Sequence, residues 1–436
     1  MKNWLISPSK RFAGNLTVAG DKSISHRAIM FGALAEGTTH IHGFLEGEDC
    51  LATMRAFQAM GVSIEHHGEG EVTVHGVGLR GLRAPEHELD VGNSGTSMRL
   101  MAGILAGQAF SSTLVGDHSL MKRPMKRVAL PLKQMGANIE ISENGTAPIV
   151  LHPSALQGLD YTLPVASAQL KSALLLAGLY AEGETRITET GISRDHSERM
   201  LKAFGVEIRQ EDKALCIRGG QTLHACDLTV PADISSAAFF IVAALIAPEG
   251  EVLLPNVGIN PTRAAIITLL QMMNGDITLE NERLAGAEPV ADIRVRASRL
   301  RGIDVPVELV PIAIDEFPIL FIAAACAEGI TRASALEELR VKESDRLSTM
   351  EQGLIALGVA CETTHDSITI YGKNGVAFTG GTIDSKSDHR IAMSFAIASL
   401  RACAPILVKD CENVATSFPT FRHLAQQAGL MIEDWA

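Results

Sequence analysis

The sequence predicts an α/β chain of two domains, built by repeating one unit of helix and strands. Three observations predict it. First, six helix-like stretches each run through a glycine into a strand-like one: 54–67 (MRAFQAMGVSIEHH), 130–142 (LPLKQMGANIEIS), 200–210 (MLKAFGVEIRQ), 269–280 (LLQMMNGDITLE), 354–364 (LIALGVACETT) and 423–434 (HLAQQAGLMIED). Their glycines, Gly61, Gly136, Gly205, Gly275, Gly358 and Gly429, stand 75, 69, 70, 83 and 71 residues apart, so six units tile all 436 residues. A period of this size is a whole helix-and-strand unit, not a solenoid turn of ~20–50 residues. Second, the length exceeds one simple core and fits two domains of roughly 200 residues, three units in each. Third, hydrophobic residues make up 46% but aromatics only 4%. The runs 235–244 (SSAAFFIVAA) and 319–325 (ILFIAAA) are apolar nearly all round, as in helices buried on most faces.

Within each unit the local cause is the same. An apolar-periodic helix stops where glycine takes the left-handed conformation after its last turn, and an alternating strand such as Val62–Ile64 follows. The Gly-Gly pairs at 219–220 and 380–381 read as hairpin turns. The apolar runs are too short and interrupted for a membrane span of ~20 residues, and the N-terminus lacks the apolar core of a secretory signal. A cytoplasmic protein is expected. The seven cysteines, at 50, 216, 226, 326, 361, 403 and 411, show no metal or redox spacing and are expected to be reduced thiols, mostly buried. With 38 basic and 50 acidic residues the formal charge is −12, which argues against nucleic acid or an anionic membrane as partner.

Against that acidic background, lysine and arginine recur in short strings rich in Gly, Ser and Asp: GDKSISHR (20–27), GNSGTSMR (92–99), KRPMKR (122–127), SAQLK (167–171), SRDHSER (193–199), NPTR (260–263), VKESDR (341–346) and SDHR (387–390). Most precede an apolar helical stretch and so mark helix N-termini. There, free backbone N–H groups and the positive end of the helix dipole favour an anion, and arginine adds forked, charge-assisted hydrogen bonds. One such string alone is an N-cap with a solvated charge. Eight, spread over the repeat units, point to one site for a polyanionic substrate. Two carboxylates stand in unusual company: Asp315, in an apolar stretch before a buried helix, and Glu343, between Lys342 and Arg346. Taken alone, these read equally as a helix cap and a surface ion pair, or as acid/base groups. His66, His67 and His75 read as exposed strand residues. No Walker loop, dinucleotide fingerprint or zincin helix is present, so no metal or nucleotide cofactor is expected.

The strings GDKSISHR, GNSGTSMR, KRPMKR, SAQLKSALLLAGL, DEFPIL, RVKESDRL and SDHRIAM together resemble the 5-enolpyruvylshikimate-3-phosphate synthase family, the 3-phosphoshikimate 1-carboxyvinyltransferases, over about Lys10 to Phe421. GDKS, SAQLK, RDHSE and NPTR resemble its glyphosate-tolerant branch. The resemblance implies a two-domain inside-out α/β barrel of six βαβαββ units, with helices buried and sheets outside. It places residues 1–20 and 233–436 in a discontinuous C-terminal lobe and 21–232 in the N-terminal lobe, with the active site in the cleft between them. It implies shikimate 3-phosphate bound by Lys22, Ser23, Arg27, Ser167, Gln169, Arg194, Asp315 and Lys342. Phosphoenolpyruvate is implied against Lys22, Asn93, Gly95, Arg123, Gln169, Arg346 and Arg390, with Asp315, Glu343 and Lys22 catalytic. A monomer acting on these two small molecules, without cofactor, metal, nucleic acid or membrane, is expected. Three positions depart from the sensitive branch: Thr416 where it has Lys, Glu338 where it has Asn, and Leu100 where it has Pro, while Gly95 is kept. The alternatives are a UDP-N-acetylglucosamine enolpyruvyl transferase, whose loop cysteine has no counterpart in 116–124, RNA 3′-phosphate cyclase, and a non-catalytic anion-binding scaffold.

Overall fold

A computed structural model describes residues 2–375 and 378–435. The chain forms two compact units, one of Met1–Asp21, Pro231–Leu284 and Pro289–Ala436, the other of Lys22–Val230 with Ala285–Glu288. The first unit thus takes Asp21, Pro231 and Ala232, which the motif resemblance assigned to the other lobe. Backbone pairing explains this. Asp21 N–H donates to Pro231 O at 2.8 Å, and Ala232 N–H to Asn256 O at 2.9 Å.

Among the described residues there are six open sheets, and none closes on itself. One plan recurs. In the sheet Asp160–Thr162, Glu184–Thr188, Ala214–Arg218, Ile208–Glu211, a short edge strand runs parallel to the second strand, and the last two form an antiparallel hairpin. Leu89–Asp90, Ser112–Val115, Ile149–His152 and Asn138–Ile141 repeat it. In the Lys22–Val230 unit the third copy, Ala35–His42, Glu71–Val77 and Ser63–Gly68, takes its parallel edge from Leu223–His224 and Leu228–Thr229. In the other unit the edge strand Arg11–Asn15 lies beside Glu249–Gly258. Its last sheet inserts Asn3–Ser7 between Ile406–Lys409 and Met431–Trp435.

Every unit also carries two helices of different character. The first is buried on most faces, and each residue of Ile234–Ile246 and of Phe317–Cys326 is buried. The second is amphipathic, as in Phe421–Ala428, which buries Phe421, Ala425 and Ala428. The mixed α/β architecture with buried helices is therefore the expected one. Five of the six repeat glycines adopt positive φ, from 83° to 122°. In the fourth unit Asn274 (φ 70°) takes that role in place of Gly275, because asparagine also tolerates the left-handed region.

Three local expectations need correction or completion. The Gly-Gly pairs are not hairpins: 219–220 follows the strand Ala214–Arg218 and leads to a different sheet, and 380–381 opens the strand Gly381–Asp384. The run Val307–Cys326 reaches 20 residues at mean hydropathy 1.9, enough to cross a bilayer by length and composition, but 83% of its most apolar stretch is buried inside the protein. It is a core element. All seven cysteines are free thiols, five of them buried, and His66, His67 and His75 lie on exposed strand faces with Glu46 and Glu65 as partners.

Candidate active site

All eight cation-bearing strings lie at helix N-termini. Lys22, Gly95, Ala168 and His389 begin buried first helices, while Lys126, His196, Ala265 and Arg346 begin or immediately follow the caps of second helices. The caps come from the strings themselves. Ser94 accepts from Ser97 N at 3.0 Å, Ser167 from Leu170 N at 3.3 Å, Asp345 from Ser348 N at 3.0 Å and Asp388 from Arg390 N at 2.9 Å. Such capping holds the next residues at the mouth of the helix, where the backbone dipoles favour an anion.

In the Lys22–Val230 unit, Lys22 pairs with the buried Asp49. Arg27 is almost fully buried. Its Nε donates to Ser197 Oγ at 2.7 Å, Nη2 to Ser172 Oγ at 3.0 Å and Nη1 to Ser23 O at 2.9 Å. Arg123 Nη2 donates to Asn93 Oδ1 at 2.6 Å, and Asn93 Nδ2 to Asp117 Oδ2 at 2.7 Å. Within the KRPMKR string, Arg123 is buried while Lys122, Lys126 and Arg127 are exposed. Gln169 Oε1 accepts from Arg99 Nη1 at 2.7 Å, and its Nε2 donates to Thr96 Oγ1 at 3.0 Å. Lys22, Ser23, Asn93, Ser167, Gln169 and Arg194 are partly exposed, whereas Arg27, Gly95 and Arg123 are buried. Lys171 of the same string is different. Only 1% exposed, it binds Glu198 at 2.6 Å and Glu189 at 3.1 Å, and so fastens the segment that carries Arg194. Burial raises the Glu198 carboxyl above its ordinary value, with Lys171 opposing the shift.

His26 joins three of this unit's helices. Its Nδ1 lies 2.8 Å from Thr53 Oγ1 and its Nε2 3.3 Å from the capping Ser94 Oγ. Burial, then the charges of Lys22 and Arg27, hold its pKa well below the usual histidine value. It is a neutral scaffold residue that sequence reading left without a role.

The other unit gathers carboxylates. Asp315 sits in the turn Ile314–Glu316, just before the buried helix Phe317–Cys326. Its Oδ1 lies 3.3 Å from both Lys342 Nζ and Arg346 Nη1. Arg346, 1% exposed, also binds Glu343 Oε2 at 2.5 Å and Asp388 Oδ2 at 2.8 Å. Burial, the largest influence, works against the charge of Asp388, but the charge and hydrogen bond of Arg346 together with His389 hold that carboxyl below its ordinary range. Arg390 Nη1 donates to Asp315 O at 2.9 Å, and its Nη2 to Ser235 Oγ at 3.2 Å. Arg263 of the NPTR string is not at the surface. Fully buried, it contacts Glu316 at 3.0 Å and Asp233 at 3.5 Å.

Of the expected residues, Lys22, Ser23, Arg27, Asn93, Gly95, Arg123, Ser167, Gln169 and Arg194 all belong to the Lys22–Val230 unit. Asp315, Lys342, Glu343, Arg346 and Arg390 belong to the other, where they form one bonded cluster. Sequence reading missed Asp49, Glu316 and Asp388. Asp388 had a usable signal, an aspartate directly before a helical His-Arg pair. Thr416 turns its hydroxyl onto Asn413 O at 2.7 Å, and Leu100 is fully buried. Among the described residues no group of three or more His, Cys, Asp or Glu is arranged to hold a metal ion.

Comparison with known proteins decides the family. The model of EPSP synthase (3-phosphoshikimate 1-carboxyvinyltransferase) matches residues 6–424. The chain belongs to the EPSP synthase family. It is 57% identical over 427 residues to the 3-phosphoshikimate 1-carboxyvinyltransferase of Methylococcus capsulatus, covering 98% of this chain and 97% of the relative. It is 53% identical to that of Legionella pneumophila over the full length of both. The EPSP synthase structure from Acinetobacter baumannii superimposes over both whole chains with a TM-score of 0.90 at 54% identity. The enolpyruvyl transferase NikO from Streptomyces tendae gives 0.79 at 17% identity, covering 100% of this chain and 99% of that one, which shows the shared fold alone. These relatives bear out the transferase read from the motifs, and the UDP-sugar alternative is not favoured.

Proposed function

We propose that this EPSP synthase family member transfers the carboxyvinyl group of phosphoenolpyruvate to the 5-hydroxyl of shikimate 3-phosphate and releases phosphate. The observation that carries this reading is the identity of 53–57% to 3-phosphoshikimate 1-carboxyvinyltransferases over nearly the whole chain. The helix-mouth cations support it. Shikimate 3-phosphate is assigned to Lys22, Ser23, Arg27, Ser167, Gln169, Arg194, Asp315 and Lys342, and phosphoenolpyruvate to Lys22, Asn93, Gly95, Arg123, Gln169, Arg346 and Arg390.

The chemistry is addition followed by elimination. The 5-hydroxyl oxygen attacks C2 of phosphoenolpyruvate and passes its proton to Asp315, while C3 gains a proton. The tetrahedral adduct then loses phosphate from C2 and a proton from C3, which regenerates the vinyl group on the new ether. Glu343 and Lys22 serve the proton transfers at C3. The cations neutralise two anionic reactants and hold the hydroxyl against C2, which is where such a site gains its rate. A monomer working on small phosphorylated metabolites in the cytoplasm fits the net charge of −12.

The strings GDKS, SAQLK, RDHSE and NPTR support a place in the glyphosate-tolerant branch, and Leu100 and Thr416 support at most an altered glyphosate affinity, since Gly95 is kept and no steric block by Ala is expected there. Thr416 puts a neutral hydroxyl where the sensitive branch has a cation. An inhibition constant equal to that of a sensitive enzyme would reject the assignment. For the activity itself, the test is phosphate release on mixing shikimate 3-phosphate with phosphoenolpyruvate. No release with this pair, but release with UDP-N-acetylglucosamine, overturns the reading.

A further inference from the structure

Arg99 lies outside every group given a role above, yet its guanidinium touches the segments that carry three of the phosphoenolpyruvate residues. It projects from the helix Gly95–Leu105, whose first residue is Gly95. Its Nη1 donates to Gln169 Oε1 at 2.7 Å, on the helix Ala168–Gly178. Its Nη2 donates to Pro124 O at 3.2 Å, the residue directly after Arg123. The same Nη1 fills the space beside Gly95, where an added Cβ would lie 2.8 Å from it. All of these residues belong to the Lys22–Val230 unit.

The bond to Gln169 has a further consequence. A side-chain amide can present either its oxygen or its nitrogen at a given place, and its neighbours decide which. With the Gln169 oxygen held by a cation and its nitrogen given to Thr96 Oγ1 at 3.0 Å, the amide is locked in one orientation. A charge-assisted bond to a partly exposed arginine is stronger than one between neutral groups and geometrically directed. Lysine at this position would keep the charge and lose the fork that reaches Gln169 and Pro124 together.

We infer that Arg99 is a positioning residue for phosphoenolpyruvate, setting the Gln169 amide and tying the Arg123 segment to the Gly95 helix. This rests on the activity proposed above. The experiment is a double-mutant cycle of Arg99→Met and Gln169→Ala in the full chain, with Arg99→Lys as the conservative variant and circular dichroism to confirm folding. Arg99→Met should raise the KM for phosphoenolpyruvate about tenfold, the loss of one charge-assisted hydrogen bond, with kcat within about threefold of the parent. In the Gln169→Ala background the same change should add less than about twofold, since a residue acting through another is non-additive with it. Arg99→Lys should fall between. An unchanged KM for phosphoenolpyruvate, a loss in kcat alone, or effects that multiply fully across the cycle would overturn the inference. If Arg99→Met fails to fold, the cycle is read with Arg99→Lys. If the parent chain releases no phosphate, the function reading fails by that result. Calorimetric titration with phosphoenolpyruvate then reads the cycle without turnover, and equal binding by parent and variant rejects the role of Arg99.

Discussion

The two units mount charged side chains at the same kind of helix N-terminus, and several of their arginines meet different groups there. In the unit holding Asp315, buried guanidinium groups are embedded among carboxylates: Arg346 with Asp315, Glu343 and Asp388, and Arg263 with Glu316 and Asp233. In the Lys22–Val230 unit, hydroxyl, amide and carbonyl oxygens hold Arg27, Arg99 and Arg123. Carboxylates exchange protons, whereas hydroxyls and amides bind without titrating near neutrality. One repeat architecture thus carries a carboxylate-rich cluster in one unit and arginines bonded to hydroxyl and amide oxygens in the other.

The contrast is broken most directly at the carboxylates. Asp315→Asn and Glu343→Gln should each lower kcat by a factor of about 10²–10⁴, the usual span for a lost acid/base group, with both substrates still bound. Single-turnover kinetics with calorimetric binding would show it, and two fully active variants would remove the assignment. Next in size is structural. Asp388→Ala strips a carboxylate from the buried Arg346 and should cost about 3–5 kcal/mol in urea unfolding. Ser197→Ala makes the equivalent cut beside Arg27 and should cost only about 1–2 kcal/mol, because a hydroxyl and not a charge is removed. Equal losses at the two sites would erase the distinction.

The smallest effect is the pH response of the Lys22–Val230 unit. His26 has a depressed pKa when folded and an ordinary value near 6.5 when unfolded. Below about 6.5 the unfolded chain therefore binds the proton more readily than the folded one. Its contribution is complete above that pH and declines as the pH falls toward the folded value, by at most about 1.4 kcal/mol per pH unit. Urea midpoints at pH 7.5 and 5.5 should differ more in the parent than in His26→Gln. An equal drop in both would assign the response to other groups.

What could be read before any coordinates follows from how far each signal travels along the chain. The repeat glycines and the strings before apolar runs are local, so the six units and the helix N-termini were legible. The direction each cation takes was not. Lys171 and Arg263 lie in strings like those of Lys22 and Arg390, yet packing turns them inward onto Glu189 and Glu198, and onto Asp233 and Glu316. Likewise Arg123 is buried while its string neighbours Lys122 and Arg127 are exposed. The partners Asp49 for Lys22 and Asp388 for Arg346 are 27 and 42 residues away, and although Asp388 reads locally as a helix cap, nothing near either residue tells which cation it meets. The Asp21 boundary also depended on backbone pairing between residues about two hundred positions apart.

The strand Asn3–Ser7, held between Ile406–Lys409 and Met431–Trp435, gives this chain an unusual birth. Asn3–Ser7 leaves the ribosome about 400 residues before its permanent neighbours do. At ~5–20 residues per second, the ~400 residues that separate them take roughly 20–80 s to make. Throughout that time the β-edge of Asn3–Ser7 and the indole of Trp4, which finally stacks on Phe421 at 5.9 Å, have no native place to go. Lys22–Val230 emerges long before then and is free to fold ahead of the unit that contains Asn3–Ser7 and Met431–Trp435. Moving the N-terminal 21 residues to a new C-terminus, through a linker after Ala436, would shorten the wait and should raise the yield of folded protein from nascent chains.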